Sequence, residues 1–130
     1  MKKYLYAACA LLLAGCMGST PQNPFITHMY TADPSAHVWN DGRLYVYASH
    51  DIAPPRGCDL MDRYHVFSTD DMVHWTDHGE ILNSSQVPWG RKEGGFMWAP
   101  DCAYKDGTYY FYFPLSLIHI SEPTRPEPIS

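Results

Sequence analysis

The chain has 130 residues, with nine Lys and Arg against fourteen Asp and Glu, for a formal net charge of −5. Between Cys16 and Pro114 the balance is six basic to twelve acidic residues. That stretch therefore offers no basic face for a nucleic acid or an anionic membrane surface. Aromatic residues make up 15% of the chain, a share that suits pleated β-surfaces and equally suits stacking on sugar rings.

The N-terminus reads MKKYLYAACALLLAGC. Two lysines precede an apolar run over residues 5–13, too short for a membrane span of roughly 20 residues but laid out like a secretory signal peptide. Leu13-Ala14-Gly15-Cys16 resembles a bacterial lipobox, so residues 1–15 are expected to be cleaved and Cys16 to carry lipid. Met17, and not Asp, follows the cysteine, which favours the outer membrane; a periplasmic location is the alternative. Residues 16–22 read as a polar tether.

From residue 23 the text turns to strands. DPSAHVWNDGRLYVY, residues 33–47, holds an Asp-Gly turn at Asp41-Gly42 before an alternating run. WAPDCAYKDGTYYFYF, residues 98–113, repeats the plan around Asp106-Gly107. Asp-Gly between alternating apolar runs is a strong hairpin signal. Between the two hairpins lie a strand-like run at residues 64–68, the connector TDDMVHWTDH with Trp75 set to plug its underside, and a second run at residues 79–82. Strands are thus expected at 36–40, 43–48, 63–68 and 79–82, with long loops at 50–62 and 83–97 and no helical periodicity outside the leader.

The turn glycines are 107 − 42 = 65 residues apart. Four antiparallel strands per unit describe a propeller blade, and closure needs about four to eight blades. The expected fold is all-β: about one and a half blades of a β-propeller, the N-terminal part of a longer protein. A small complete β-sandwich is the rival. Residues 115–130, LSLIHISEPTRPEPIS, show no strand alternation and resemble translated adapter sequence. They are expected to be a non-native tail, a genuine Pro-rich linker being the alternative, and the folded body is set at 23–114.

Each hairpin carries an aspartate beside a proline at its entry. Pro34 is expected to push Asp33 into an extended backbone, and Pro100 to stiffen the approach to Asp101. In a propeller the first strand of each blade lines the central channel, so the two carboxylates are expected at one rim. Asp33 stands eight residues before Asp41, Asp101 only five before Asp106. The odd difference would turn them to opposite faces unless a bulge intervenes or Asp33 lies just outside the strand. Paired acids in a cleft suit glycoside hydrolysis, although Asp-Pro and Pro-Asp are also common turn pairs.

Three blocks, NPFITHMYTADPSAHVWNDGRLYVYASHD, YHVFSTDDMVHWTDHGEIL and WAPDCAYKDGTYYFYFP, together resemble the N-terminal part of glycoside hydrolase family 43. The resemblance covers residues 23–114. It implies a five-bladed β-propeller and an inverting glycosidase acting on arabinofuranosyl or xylosyl linkages of plant oligosaccharides and polysaccharides. It also implies that Asp33 is the general base, and that Asp101 tunes the acid's pKa and orients the sugar. The family's general acid is a glutamate of a later blade. Glu80 and Glu93 match neither its motif nor its place, so this chain alone is expected to be inactive. Trp98 is expected to wall the sugar pocket or to pack between blades, and His50 and Asp51 to hydrogen-bond sugar hydroxyls.

His28, His37, His65, His74 and His78 lack metal-ligand spacing and read as surface or packing residues. No metal or cofactor is expected from these residues, although the resemblance allows a structural calcium in the full-length protein. A Cys58–Cys102 disulfide is open in an exported protein. The membrane is expected to be engaged through lipid alone. The competing readings are a non-catalytic glycan-binding propeller, a related five-bladed furanosidase of different substrate, and a structural surface lipoprotein.

Overall fold

A computed structural model describes residues 21, 23–53, 58–93, 95–115 and 127–129. The leader and Cys16 lie outside the described residues, as does the side chain of Cys58. The fold is all-β. β1 (Thr31–Val38), β2 (Leu44–His50), β3 (Arg63–Thr69) and β4 (Thr76–Asn83) form an antiparallel sheet in the order β1-β2-β3-β4. β5 (Asp101–Lys105), β6 (Thr108–Tyr112) and β7 (Glu127–Ile129) form a second antiparallel sheet in chain order. The edge of β6 away from β5 is thus paired by residues from the segment read as a tail.

The two Asp-Gly turns differ. Asp106 (φ 51) and Gly107 (φ 82) are both left-handed, and Lys105 pairs directly with Thr108. This is a two-residue turn whose twist matches the flanking strands. At the first turn only Gly42 is left-handed (φ 79), and Trp39 N–H bonds Arg43 O across residues 40–42. That wider loop is held from inside. Asp41 accepts from Arg43 N–H (3.1 Å) and from the Tyr45 hydroxyl (2.8 Å).

The connector after β3 is held the same way. Thr69 Oγ1 accepts from Asp71 and Met72 N–H, and Asp71 accepts from Val73 and His74 N–H. Asp71 therefore satisfies backbone donors that no ladder reaches.

The apolar face of β2 and β3 turned toward the second sheet carries Tyr47, Tyr64 and Val66. These residues pack with Val87, Met97, Cys102, Phe111, Phe113 and Leu115. Leu115, the first residue beyond the expected body, is buried and bridges to Met97. Tyr64 is fully buried; its hydroxyl donates to Trp98 O at 2.8 Å, which offsets the cost of burying a polar group. The opposite face of the first sheet carries Val46, Ala48 and Phe67. It is covered by Phe25, Ile26, Met29 and Trp75, with Phe25 stacked on Trp75 at 3.7 Å. Trp75 plugs the sheet from the connector, as its position in the sequence suggested.

Candidate active site

The strand that carries Asp33 contains one extra residue. Ala32 pairs with Ser49 and Ser35 with Tyr47, so three steps on β1 oppose two on β2. Asp33-Pro34 forms a β-bulge. Asp33 has φ 49, left-handed and not extended. The steric effect of Pro34 is overridden because the bulge needs a residue that turns back, and Asp is among the few non-glycine residues that do so readily. Among the described residues, no hydrogen bond or ion pair occupies the Asp33 carboxylate.

The bulge accounts for one of the three residues by which the two Asp-to-turn spacings differ. The wider first turn, with Asn40 inserted ahead of Asp41, accounts for the second. The third places Asp33 one position farther up its strand.

Asp101 opens β5, directly after buried Pro100. Its Oδ1 accepts from Cys102 N–H at 2.8 Å and from His37 Nε2 of β1 at 2.7 Å. Burial pushes the carboxyl upward, but the His37 and Cys102 hydrogen bonds, the nearby Ser35 hydroxyl and the His37 charge outweigh it. Asp101 ends below the usual carboxylate value, hence ionised at neutral pH. The two sheets therefore meet through a side chain of the Asp33 strand and the carboxylate of Asp101.

His37, expected among the surface and packing histidines, does pack, on Trp39, and it also holds Asp101. It lies on the face of β1 turned to the second sheet, two residues from Ser35 in the same register as Tyr45 and Tyr47. The pleat after the bulge, and not any histidine spacing, selects it.

His50 and Asp51 lie at the end of β2 beside the start of β1, since Thr31 pairs with His50. They share that end of the sheet with Asp33. His50 Nδ1 bonds Asp62 at 2.8 Å and lies 3.3 Å from Arg63 Nε. Asp51 holds Ile52 N–H at 2.8 Å. Both residues line a cleft of about 690 Å³ between residues 24–30 and 50–53, a volume within the range of small-molecule sites. Asp33 and Asp101 do not line it. Trp98 is half-buried, packs edge-on against Phe96 at 5.9 Å and gives its carbonyl to Tyr64.

Glu80 stands on β4, the strand farthest from β1 in its sheet, and accepts from Arg63 at 3.4 Å. Glu93 is exposed in the loop after β4. Cys102 is buried with a free thiol. Among the described residues, no group of three or more His, Cys, Asp or Glu could hold a metal ion.

Residues 21–125 match the model of glycosyl hydrolases family 43. The chain belongs to that family. This family 43 chain is 48% identical over 104 residues to a xylosidase/arabinosidase 43A of Humicola insolens, covering 70% of this chain and 29% of the relative. It is 34% identical over 144 residues to an arabinoxylan arabinofuranohydrolase of Bacillus subtilis, covering 98% of this chain and 28% of the relative. Among solved structures it resembles an α-L-arabinofuranosidase of Clostridium thermocellum at 37% identity and TM-score 0.51, over 71% of this chain and 30% of that one. The family 43 chain thus spans under a third of the length of these relatives.

Proposed function

We propose that this chain carries the general base of an inverting glycoside hydrolase that removes arabinofuranosyl or xylosyl units from plant polysaccharides such as arabinoxylan. The relatives' names supply the substrate class. One observation carries the assignment of roles: a strained bulge presents at Asp33 a carboxylate without a partner among the described residues, while the neighbouring sheet ties an ionised Asp101 to the same strand. Backbone strain of this kind costs of order 1–3 kcal/mol and gathers at functional sites.

In this reading Asp33 takes a proton from the attacking water. Asp101, as an anion, raises the pKa of the proton-donating acid so that it stays protonated. Neither Glu80 nor Glu93 is that acid; it belongs to another blade of the family's five-bladed propeller. His50 and Asp51 offer hydrogen bonds to sugar hydroxyls along the cleft, and Trp98 walls the pocket. The protein is exported and held to the outer membrane by lipid at Cys16.

The test is turnover by the full-length protein on aryl arabinofuranosides, aryl xylosides and aryl fructosides, with the anomer of the product followed by NMR. Asp33→Asn should lower kcat by roughly a hundredfold or more, and the first-formed sugar should be inverted. Activity on fructosides alone, a retained anomer, or an undiminished Asp33→Asn would each overturn the assignment. Polysaccharide binding without turnover would support a glycan-binding protein instead.

A further inference from the structure

We propose that His37 is the positioning residue of Asp101: its imidazole is a fixed bracket that carries the carboxylate from the second sheet onto the strand of Asp33. The role rests on the glycosidase reading of Asp101 given above. An ionised carboxylate only accepts, so the 2.7 Å contact has Nε2 protonated and donating. Such short bonds to a charged acceptor are about twice as strong as neutral ones.

The bracket is rigid because its ring is not free to turn. His37 stacks on Trp39 at 4.8 Å with planes 16° apart, and Tyr47 closes another side at 6.4 Å. Trp39 is fixed in turn, by its indole N–H to the Tyr47 hydroxyl (3.0 Å) and by the Tyr109 ring of the second sheet (5.3 Å, 70°).

Asp101 needs such support. Its side chain is 60% exposed, and an exposed carboxylate without a clamp samples several rotamers. Both the His37 and the Cys102 hydrogen bonds fall on Oδ1, so Oδ2 is the oxygen left to act on a sugar or a neighbouring acid. Ser35 places a buried hydroxyl close by. The other titratable groups packed around this point are Cys102 and Tyr47, both pushed upward by burial and hence neutral. Among the groups described there, His37 alone can bring a positive charge to Asp101.

Two variants test the bracket. His37→Phe keeps an aromatic ring on Trp39 and removes the donor; His37→Gln restores a donor at similar reach. Carbon-13 NMR of the Asp101 carboxyl should show its titration midpoint rising in His37→Phe and returning most of the way in His37→Gln. An unchanged midpoint in His37→Phe overturns the proposal. The unsubstituted chain gives an independent reading should either variant fail to fold. A His37 ring protonated at Nε2 at neutral pH supports the bracket, and one protonated at Nδ1 alone overturns it.

In turnover assays of the full-length protein His37→Phe should lower kcat roughly tenfold or more with KM little changed, and His37→Gln should recover most of it. An impaired Asp101→Asn beside an unaffected His37→Phe removes the role of His37 alone. An unaffected Asp101→Asn removes the catalytic reading of Asp101 and leaves the NMR result to decide the bracket.

Discussion

Trp39 donates its indole N–H to the Tyr47 hydroxyl at 3.0 Å, and this bond sits where the first sheet meets the second. Tyr47 is 6% exposed, and burial holds its hydroxyl protonated far above neutral pH. Removing the acceptor in Tyr47→Phe leaves the indole donor without its partner, at a cost of about 1 kcal/mol. Removing the ring in Trp39→Ala should cost about 3 kcal/mol, because contacts to His37, Tyr104 and Tyr109 go with it. Urea unfolding monitored by circular dichroism reads both. Equal losses in the two variants would mean that the ring does no packing across the sheets.

The backbone at Asp33 separates stability from activity. Glycine adopts a φ of 49 without strain, so Asp33→Gly should fold at least as stably as the parent, while the same change in the full-length protein loses turnover. Asp33→Val places a β-branched residue in the left-handed region and should cost about 1–2 kcal/mol. Thermal unfolding of the two variants is the measurement. A Gly variant that unfolds well below the parent would refute the strained bulge.

Acid should loosen the connector between β3 and β4. The His74 N–H, the His74 ring and the Val73 N–H hold the Asp71 carboxyl well below the usual range. A depressed folded-state pKa contributes stability that is fully present above the unfolded value, about pH 4, and is lost as pH falls through the folded value. The gap in unfolding free energy between the parent and Asp71→Asn should therefore be widest above about pH 4 and close on acidification. Denaturant titrations at a series of pH values follow it; a gap independent of pH would contradict the assignment.

Gly95 is a packing requirement as well as a left-handed position. Its φ is 108, and a Cβ there would overlap the Asp59 carbonyl oxygen, a backbone atom with little freedom to move. Gly95→Ala should destabilise the fold by about 2–4 kcal/mol. Gly107→Ala, with open space around its Cβ, should cost less, and comparing the two midpoints in urea tests the steric argument.

The proposed lipid anchor has a direct assay. Radiolabelled palmitate should enter the protein in bacterial cells, and Cys16→Ser should abolish labelling and release the protein from the membrane fraction. Failure of the parent to label would leave residues 1–15 as an ordinary cleaved leader.

The hairpins were legible because Asp-Gly turns and period-two alternation are local signals, and the four strands of the first sheet fall where that alternation placed them. Their limits were less so. β1 begins at Thr31 and not near residue 36, because a bulge interrupts the alternation without ending the pairing. The odd Asp-to-turn spacing pointed to that bulge, yet it could not tell a bulge from a residue outside the strand. Pro34 suggested an extended Asp33, a local rule that the cross-strand register overrode. His37 was hidden for a different reason. Its partner lies 64 residues away, and only the stacking of one sheet on another selects it from the other histidines. His28 and His74 are paired with Asp77 and Asp71 without reaching the site.

The Phe25–Trp75 stack also sets how far the folded body could roam from the proposed anchor. It fastens the start of the body to its own sheet, so only eight residues, nine Cα steps, separate the proposed lipid at Cys16 from the first fixed ring. Fully stretched, that leash spans about 30 Å. Under the proposed anchor and function, a body so closely tethered would meet only chains that reach the membrane, and the sugars it released would be set free beside the cell that made it.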